Sequence, residues 1–336
     1  MISFVNLAGQ RNFYRKELEK AEREVLDSGI FIGGPQVEHL ERELSDYVGR
    51  SAITCASGTD AVTRARLALG LKPGDQVVVP DFTFVAPAEC VSFLGGVPRF
   101  ADIHPETLQI SIESVESLIN EKTVGIIAVD LFGQCAPFEK LRDIATRRGL
   151  WIVEDAAQAF GSTRASEGRV QKACTFGDIS ITSFYPTKPL GCYGDGGALF
   201  TDSPQLETKI RMLSNHGSTG HYDHRLIGLN SRLDALQAAI LRVKLSHLEE
   251  ELKGRRDNAA KYDEFFLNRW NVQKASSLRV IPQGTAPGNT STFAQYTLLA
   301  ENREAFLGKL RQAEIPYGIH YPETLRRQPC FSEFLP

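Results

Sequence analysis

The sequence predicts an α/β fold, a large and mostly parallel sheet followed by a smaller α+β unit. Between residues 52 and 202, short runs rich in β-branched residues alternate with helical stretches. These runs are near-continuously apolar, as in a sheet covered on both faces. Beyond Asn230 the text changes to long helical segments, a Gly/Pro/Ser/Thr-rich stretch and a mixed tail.

Taken in order, the strand-like runs are 52–55, 76–80, 98–102, 124–130, 151–154, 179–184 and 197–201. Each is bounded by Gly, Pro or Asp, and helical text such as 137–148 fits the crossovers between them. Residues 231–270 read as helix, with Leu233, Leu236, Ile240 and Val243 at helical spacing. A loop over 282–292, a strand over 292–299 and a helix over 303–313 complete the expectation. The division is a large domain over 1–244 and a small one over 245–336. The first 30 residues are expected to pack against the small domain or against a second copy.

The chain has 336 residues, is 42% hydrophobic and 24% charged, and carries a formal net charge of -3. That composition suits about two soluble domains and argues against a nucleic-acid or membrane-surface partner. The cluster Lys253, Arg255 and Arg256 lies among acidic residues and reads as a solvated helix face. Six cysteines, at 55, 90, 135, 174, 192 and 330, include no C-x-x-C pair and show neither zinc nor disulfide spacing. They read as reduced, mostly buried thiols of a cytoplasmic protein, with no metal implied. The start, Met1 to Asn6, shows no secretory pattern, and no apolar run nears the ~18 residues of a membrane span.

Three local patterns carry chemistry. Ser57-Gly58-Thr59 follows an apolar run and opens a helix, so unpaired N–H groups and the macrodipole would attract a phosphate there. An ordinary N-cap explains the same residues. Glu154-Asp155-Ala156-Ala157-Gln158 ends a buried strand, where open α/β sheets bind ligands. A carboxylate in that place can pair with a protonated pyridine nitrogen, and Gln158 could reach the ring's phenolic oxygen. An N-cap Asp is again the alternative. Lys188 lies in Ser183-Phe184-Tyr185-Pro186-Thr187-Lys188-Pro189-Leu190-Gly191, a lone amine among apolar residues just after a strand. Desolvation would make it nucleophilic. Gly194 and Gly196 do not start a dinucleotide fingerprint, because Leu199 takes the third glycine's place and a strand follows. Together, a phosphate site, a ring-nitrogen carboxylate and a strand-end lysine are the three anchors of a pyridoxal-phosphate enzyme.

These residues resemble the DegT/DnrJ/EryC1/StrS sugar aminotransferase family of fold-type I pyridoxal-phosphate enzymes. The matching motifs are Ser57-Gly58-Thr59, Pro80-Asp81-Phe82-Thr83-Phe84, Glu154-Asp155-Ala156-Ala157-Gln158, Ser183-Phe184 with Lys188, Gly194-Asp195-Gly196-Gly197, and Asn230-Ser231-Arg232-Leu233-Asp234 followed by Gln237-Ala238-Ala239. The resemblance implies that Lys188 forms the Schiff base and shuttles protons. It implies that Asp155 pairs with the ring nitrogen, Gln158 with the ring oxygen, and that Phe84 stacks on the ring. The phosphate would lie on Ser57, Gly58, Thr59 and Ser183, with Asn230 reaching it from the other subunit of a homodimer.

Within the family, residues 183–197, Asn6-Leu7-Ala8-Gly9-Gln10-Arg11 and Gly318-Ile319-His320-Tyr321-Pro322 resemble members that aminate UDP-linked keto sugars for bacterial surface polysaccharides, the 3-keto-glucuronic acid type included. Glutamate would donate the amino group. Arg232, His320 and Tyr321 become candidates for binding the sugar nucleotide. Family members usually run further past residue 336, so the resemblance places the small domain's last strand and helix beyond this chain. A C4-aminating relative, a sugar dehydratase (disfavoured by Lys188), a non-catalytic regulatory relative and a nicotinamide-dependent oxidoreductase stand as alternatives.

Overall fold

The computed structural model describes residues 3–166, 168–270 and 278–334. In chain order the strands begin with β1 (Ser51–Cys55), β2 (Gln76–Pro80), β3 (Val97–Ala101), β4 (Thr123–Val129) and β5 (Trp151–Asp155). A hairpin follows, β6 (Thr163–Ser166) with β7 (Arg169–Lys172), and then β8 (Ile179–Ser183) and β9 (Gly197–Thr201). Seven of these form one sheet in the order β1-β9-β8-β5-β4-β2-β3. The pairs β2–β3, β2–β4, β4–β5 and β5–β8 are parallel, and β9 runs antiparallel to both β1 and β8. β1 is therefore parallel to β8, and every strand but β9 ends on the same edge.

Alternation along the strands explains the near-continuous apolar runs. Val77, Val79, Ile127, Val153, Ile179 and Ile181 face one side, under helices α4 (Gly58–Leu69), α5 (Ala86–Phe93) and α8 (Pro204–Ser214). Val78, Ile126, Ala128 and Ile152 face the other, under α3 (Pro35–Val48), α7 (Phe138–Arg148) and α9 (Ala235–Ser246). Each fully buried Leu, Ile or Phe in these layers contributes about 1.5–3 kcal/mol. The helices begin and end at local signals. Ser57, Ser203 and Asp234 accept N-cap hydrogen bonds from Asp60, Leu206 and Gln237.

The seven strands expected for the large sheet match those observed to within a residue at each end. The helical text of 231–270 is interrupted: α9 starts only at Ala235, breaks at His247 (φ -107, ψ 1), and α10 (Leu248–Asp263) continues it. A π-helical turn over Glu264–Trp270 ends the stretch. The expected strand over 292–299 is corrected to Leu298–Ala300, which pairs antiparallel with Val280–Pro282. Phe293 takes a left-handed φ of 45, and buried Thr292 is tied to Gly133 and Gln158, so the chain cannot run extended there. The loop over 282–292 is likewise tied down: Asn289–Thr290 pairs with β6, and Gln134 bonds Gly284 and Ala286.

The helix Arg303–Gln312 packs on the Val280 and Leu298 strands through Phe306, with Phe266, Trp270 and Tyr296. At the N-terminus, α2 (Arg15–Ser28) lies along α9, and Gln10 bonds the Glu251 carboxylate of α10. Of the cysteines, only Cys330 is exposed. Among the described residues no helix is long and apolar enough to cross a membrane, and no group of three or more His, Cys, Asp or Glu is placed to hold a metal ion.

Candidate active site

The site lies at the edge where β1, β4, β5 and β8 end. Ser57 caps α4, its Oγ accepting from the Asp60 N–H at 3.1 Å. The N–H groups of Gly58 and Thr59 in the first turn have no intrahelical acceptor. A Cβ on Gly58 would stand 2.6 Å from the Ser183 Cβ, and one on Gly197 2.7 Å from the Ser57 carbonyl carbon. The turn thus fits between the ends of β8 and β9 because both positions lack side chains. Ser57, Gly58, Thr59 and Ser183 come together at this helix start. Helix dipole and donors together favour an anion.

Asp155 closes β5 and is 6% exposed; its Oδ1 accepts from the Ala157 N–H at 3.0 Å. Burial raises its pKa, opposed by that N–H and by the Lys188 charge. Glu154 next to it points the other way. It accepts from the N–H groups of Cys174 and Phe176 and from Ser180 Oγ, and is a structural carboxylate. Lys188 rides on a tight loop closed by Phe184 N–H to Gly196 O and Cys192 N–H to Phe184 O, both 2.8 Å. It is half-buried, and its Nζ has no hydrogen-bond or ion-pair partner among the described residues. Burial lowers its pKa, and the Asp155 carboxylate pulls the other way. β5 and β8 are parallel neighbours, so the acid and the loop that carries the amine lie at one edge of the sheet, close enough for each charge to act on the other's titration.

Gln158 forms the floor beside them. Its Oε1 accepts from the Phe132 N–H at 2.7 Å, and its Nε2 donates to the Tyr321 hydroxyl at 3.3 Å. The Tyr321 ring lies 5.7 Å from that of Phe82 and 6.5 Å from that of Phe132. Burial pushes its hydroxyl up to about 12. Exposed His320 is close enough to Lys188 for the amine's charge, added to partial burial, to lower the imidazole pKa. Residues 320 and 321, expected to bind the sugar nucleotide, thus stand over the Lys188–Asp155 space. Phe84 follows β2 at the same edge and is 54% exposed. Asn230 and Arg232 are exposed on either side of buried Ser231, and neither side chain bonds to the Lys188 loop or to Asp155 among the described residues.

Sequence reasoning missed what holds this roof in place. Arg326 bonds the buried Asp81 carboxylate through Nε at 2.5 Å and through its own N–H at 2.8 Å, while the Leu325 N–H reaches the Asp81 carbonyl at 2.7 Å. Asp81 stood in a quoted motif at the end of β2; Arg326 carried no local signal. Phe82 stood in the same motif without a role, and the left-handed Phe132 (φ 61) was not singled out.

A family model described as the DegT/DnrJ/EryC1/StrS aminotransferase family matches residues 13–335. The chain belongs to this family. It is 41% identical, over 99% of its length and 89% of the other chain, to UDP-2-acetamido-2-deoxy-3-oxo-D-glucuronate aminotransferase of Pseudomonas aeruginosa. It is 35% identical, over 98% of its length and 84% of the other's, to dTDP-3-amino-3,4,6-trideoxy-alpha-D-glucose transaminase of Streptomyces venezuelae. The crystal structure of ntda from Bacillus subtilis with bound cofactor pmp superposes with a TM-score of 0.85 at 29% identity, over 96% of this chain and 73% of that one. This DegT-family chain is accordingly an aminotransferase, of the pyridoxal-phosphate-dependent kind, on the fold expected from its sequence. Its residues fit that group: a helix N-terminus at Gly58 that lies against Ser183, and a buried Asp155 at the same sheet edge as the loop of Lys188.

Proposed function

We propose that this aminotransferase moves an amino group from glutamate to the keto carbon of a nucleotide-linked sugar, and that the sugar is a UDP-linked 3-keto-hexuronic acid used in a bacterial surface polysaccharide. The observation that carries the reaction is that buried Asp155 and the loop of half-buried Lys188 follow neighbouring parallel strands to one sheet edge, where Gly58 also lies against Ser183. The similarity to the Pseudomonas enzyme supports the sugar.

Pyridoxal phosphate supplies an electron-withdrawing ring that stabilises charge at a carbon losing its proton. Lys188 Nζ would hold the cofactor at its carbonyl carbon and, when free, would take and return the proton at the substrate carbon. Its lowered pKa leaves more of the amine free to do so. Asp155 would hold the ring nitrogen in its protonated form, and Gln158 Nε2 would donate to the ring oxygen. The N–H groups of Gly58 and Thr59, with the Ser57 and Ser183 hydroxyls, bind the phosphate. Phe84 covers the ring. His320 and Tyr321 orient the sugar, and Arg232 meets the diphosphate.

Asn230 serves the site of a second copy. Exposed Ile30, Phe31, Ile32 and Tyr185 support a homodimer. The large domain over 1–244 holds the cofactor, and the segment after it closes over the sugar.

The test is amino transfer followed by mass spectrometry. The protein loaded with cofactor and glutamate, then given UDP-3-keto-hexuronate, a UDP-4-keto-6-deoxy sugar or a dTDP-3-keto sugar, is expected to aminate the first. Amination of the 4-keto sugar alone would replace the substrate assignment. Failure to release 2-oxoglutarate from glutamate would point to a regulatory relative.

A further inference from the structure

Helix α4 carries two arginines among its buried alanines and valine. Arg64 and Arg66 are both 0% exposed and rank among the largest fully buried side chains. Arg64 donates to Ser214 Oγ and, at 3.4 Å, to the Thr54 carbonyl; Arg66 donates to the Pro87 carbonyl at 3.2 Å. Nε of both, and the second terminal nitrogen of Arg66, have no partner. A thiol lies beside each, Cys55 beside Arg64 and Cys90 beside Arg66, and the Asp60 carboxylate, one turn before Arg64 on the same helix, forms no ion pair with it. Among the described residues no carboxylate forms an ion pair with either guanidinium. An uncompensated buried charge is among the costliest things a core can hold, and a leucine or methionine would fill the same space without that cost.

An anion is due close by. The same helix presents its N-terminus to the phosphate at Gly58. At 1.5 Å per residue, positions 64 and 66 stand about 9 and 12 Å along the axis. Helical side chains lean toward the N-terminus, which brings the charges closer. Arg64 reaches Thr54, three residues before the Ser57 cap. Cys90, next to Arg66, donates to the Thr59 carbonyl at 3.6 Å, and Thr63 Oγ1 donates to the same oxygen at 3.0 Å. No bulk salt enters this region to screen the charges.

We propose that Arg64 and Arg66 are electrostatic positioning residues, buried charges with no acidic partner that bind the cofactor's phosphate more tightly to the α4 N-terminus and are themselves compensated by it. The inference rests on the cofactor placement proposed above. A unit charge ~12 Å away at an effective dielectric of ~20 corresponds to about a tenfold change in affinity.

The test compares pyridoxal phosphate with unphosphorylated pyridoxal on the apo protein, by equilibrium binding, and the melting temperature of the apo protein. R66M is expected to lose about tenfold in affinity for pyridoxal phosphate with pyridoxal unchanged, while its apo form melts higher than wild type. R66K, which keeps the charge, retains the preference for the phosphorylated form. Equal losses for both ligands together with a lower apo melting temperature would mark Arg66 as packing only and overturn the inference. R64M carries the same comparison should R66M not fold. If the wild-type protein itself shows no preference for the phosphorylated ligand, the phosphate placement fails, and that result is distinct from failure of the arginine variants.

Discussion

At residue 188, burial and charge act in opposite directions on one amine. Burial lowers its pKa and Asp155 raises it. Asp155→Asn removes the opposing charge, so the free Lys188 amine of the apo protein is expected to titrate at lower pH. A pH titration followed by amine-selective labelling checks the direction. The same variant is expected to keep cofactor bound to Lys188 yet lose at least about 100-fold in turnover, because the ring nitrogen loses its charged partner. Lys188 and Asp155 were legible in the sequence because Asp155 ends a β-strand and Lys188 follows one, a local signal. Asn230 and Arg232 were legible as a motif, but both are exposed, and neither side chain bonds to Asp155 or the Lys188 loop among the described residues.

The site has a floor and a roof, and only the floor was legible. The strand ends at 55, 155 and 183 follow from hydrophobic runs and their bounding residues, so the floor could be read locally. The roof depends on Arg326 and Asp81, 245 residues apart, and nothing in the spacing joins them. The strand expected over 292–299 failed for a related reason: Thr292 spends its hydrogen bonds on Gly133 and Gln158, tertiary partners that sequence periodicity cannot show. Arg326→Met leaves the buried Asp81 carboxylate with one N–H and removes the bond to the Phe100 carbonyl. The expected cost is about 2 kcal/mol in chemical denaturation. Steady-state kinetics should show a raised KM for the keto sugar with the glutamate half-reaction nearly unchanged, since His320 and Tyr321 loosen while Lys188 does not.

The whole molecule is a sheet buried on both faces, and that burial also traps acid groups. Asp130, at the end of β4, is 0% exposed, and one of its oxygens has no partner. Burial raises its pKa well above the usual carboxylate range, with the neighbouring Glu154 charge adding to the effect. A folded-state pKa above the unfolded value, about 3.9, gives stability that is full below the unfolded pKa and is lost as pH rises through the folded one. Asp130→Asn keeps an oxygen for the Ala136 N–H and removes the titration. Its melting temperature is expected to fall less than the wild type's from about pH 5 to about pH 9.

All of these effects converge on one covalent attachment. Reduction of the cofactor-loaded protein with borohydride, followed by proteolysis and mass spectrometry, tests it most directly. The account predicts the added cofactor mass on the peptide containing Lys188 and on no other lysine. Attachment at a different lysine, or none at all, would contradict it.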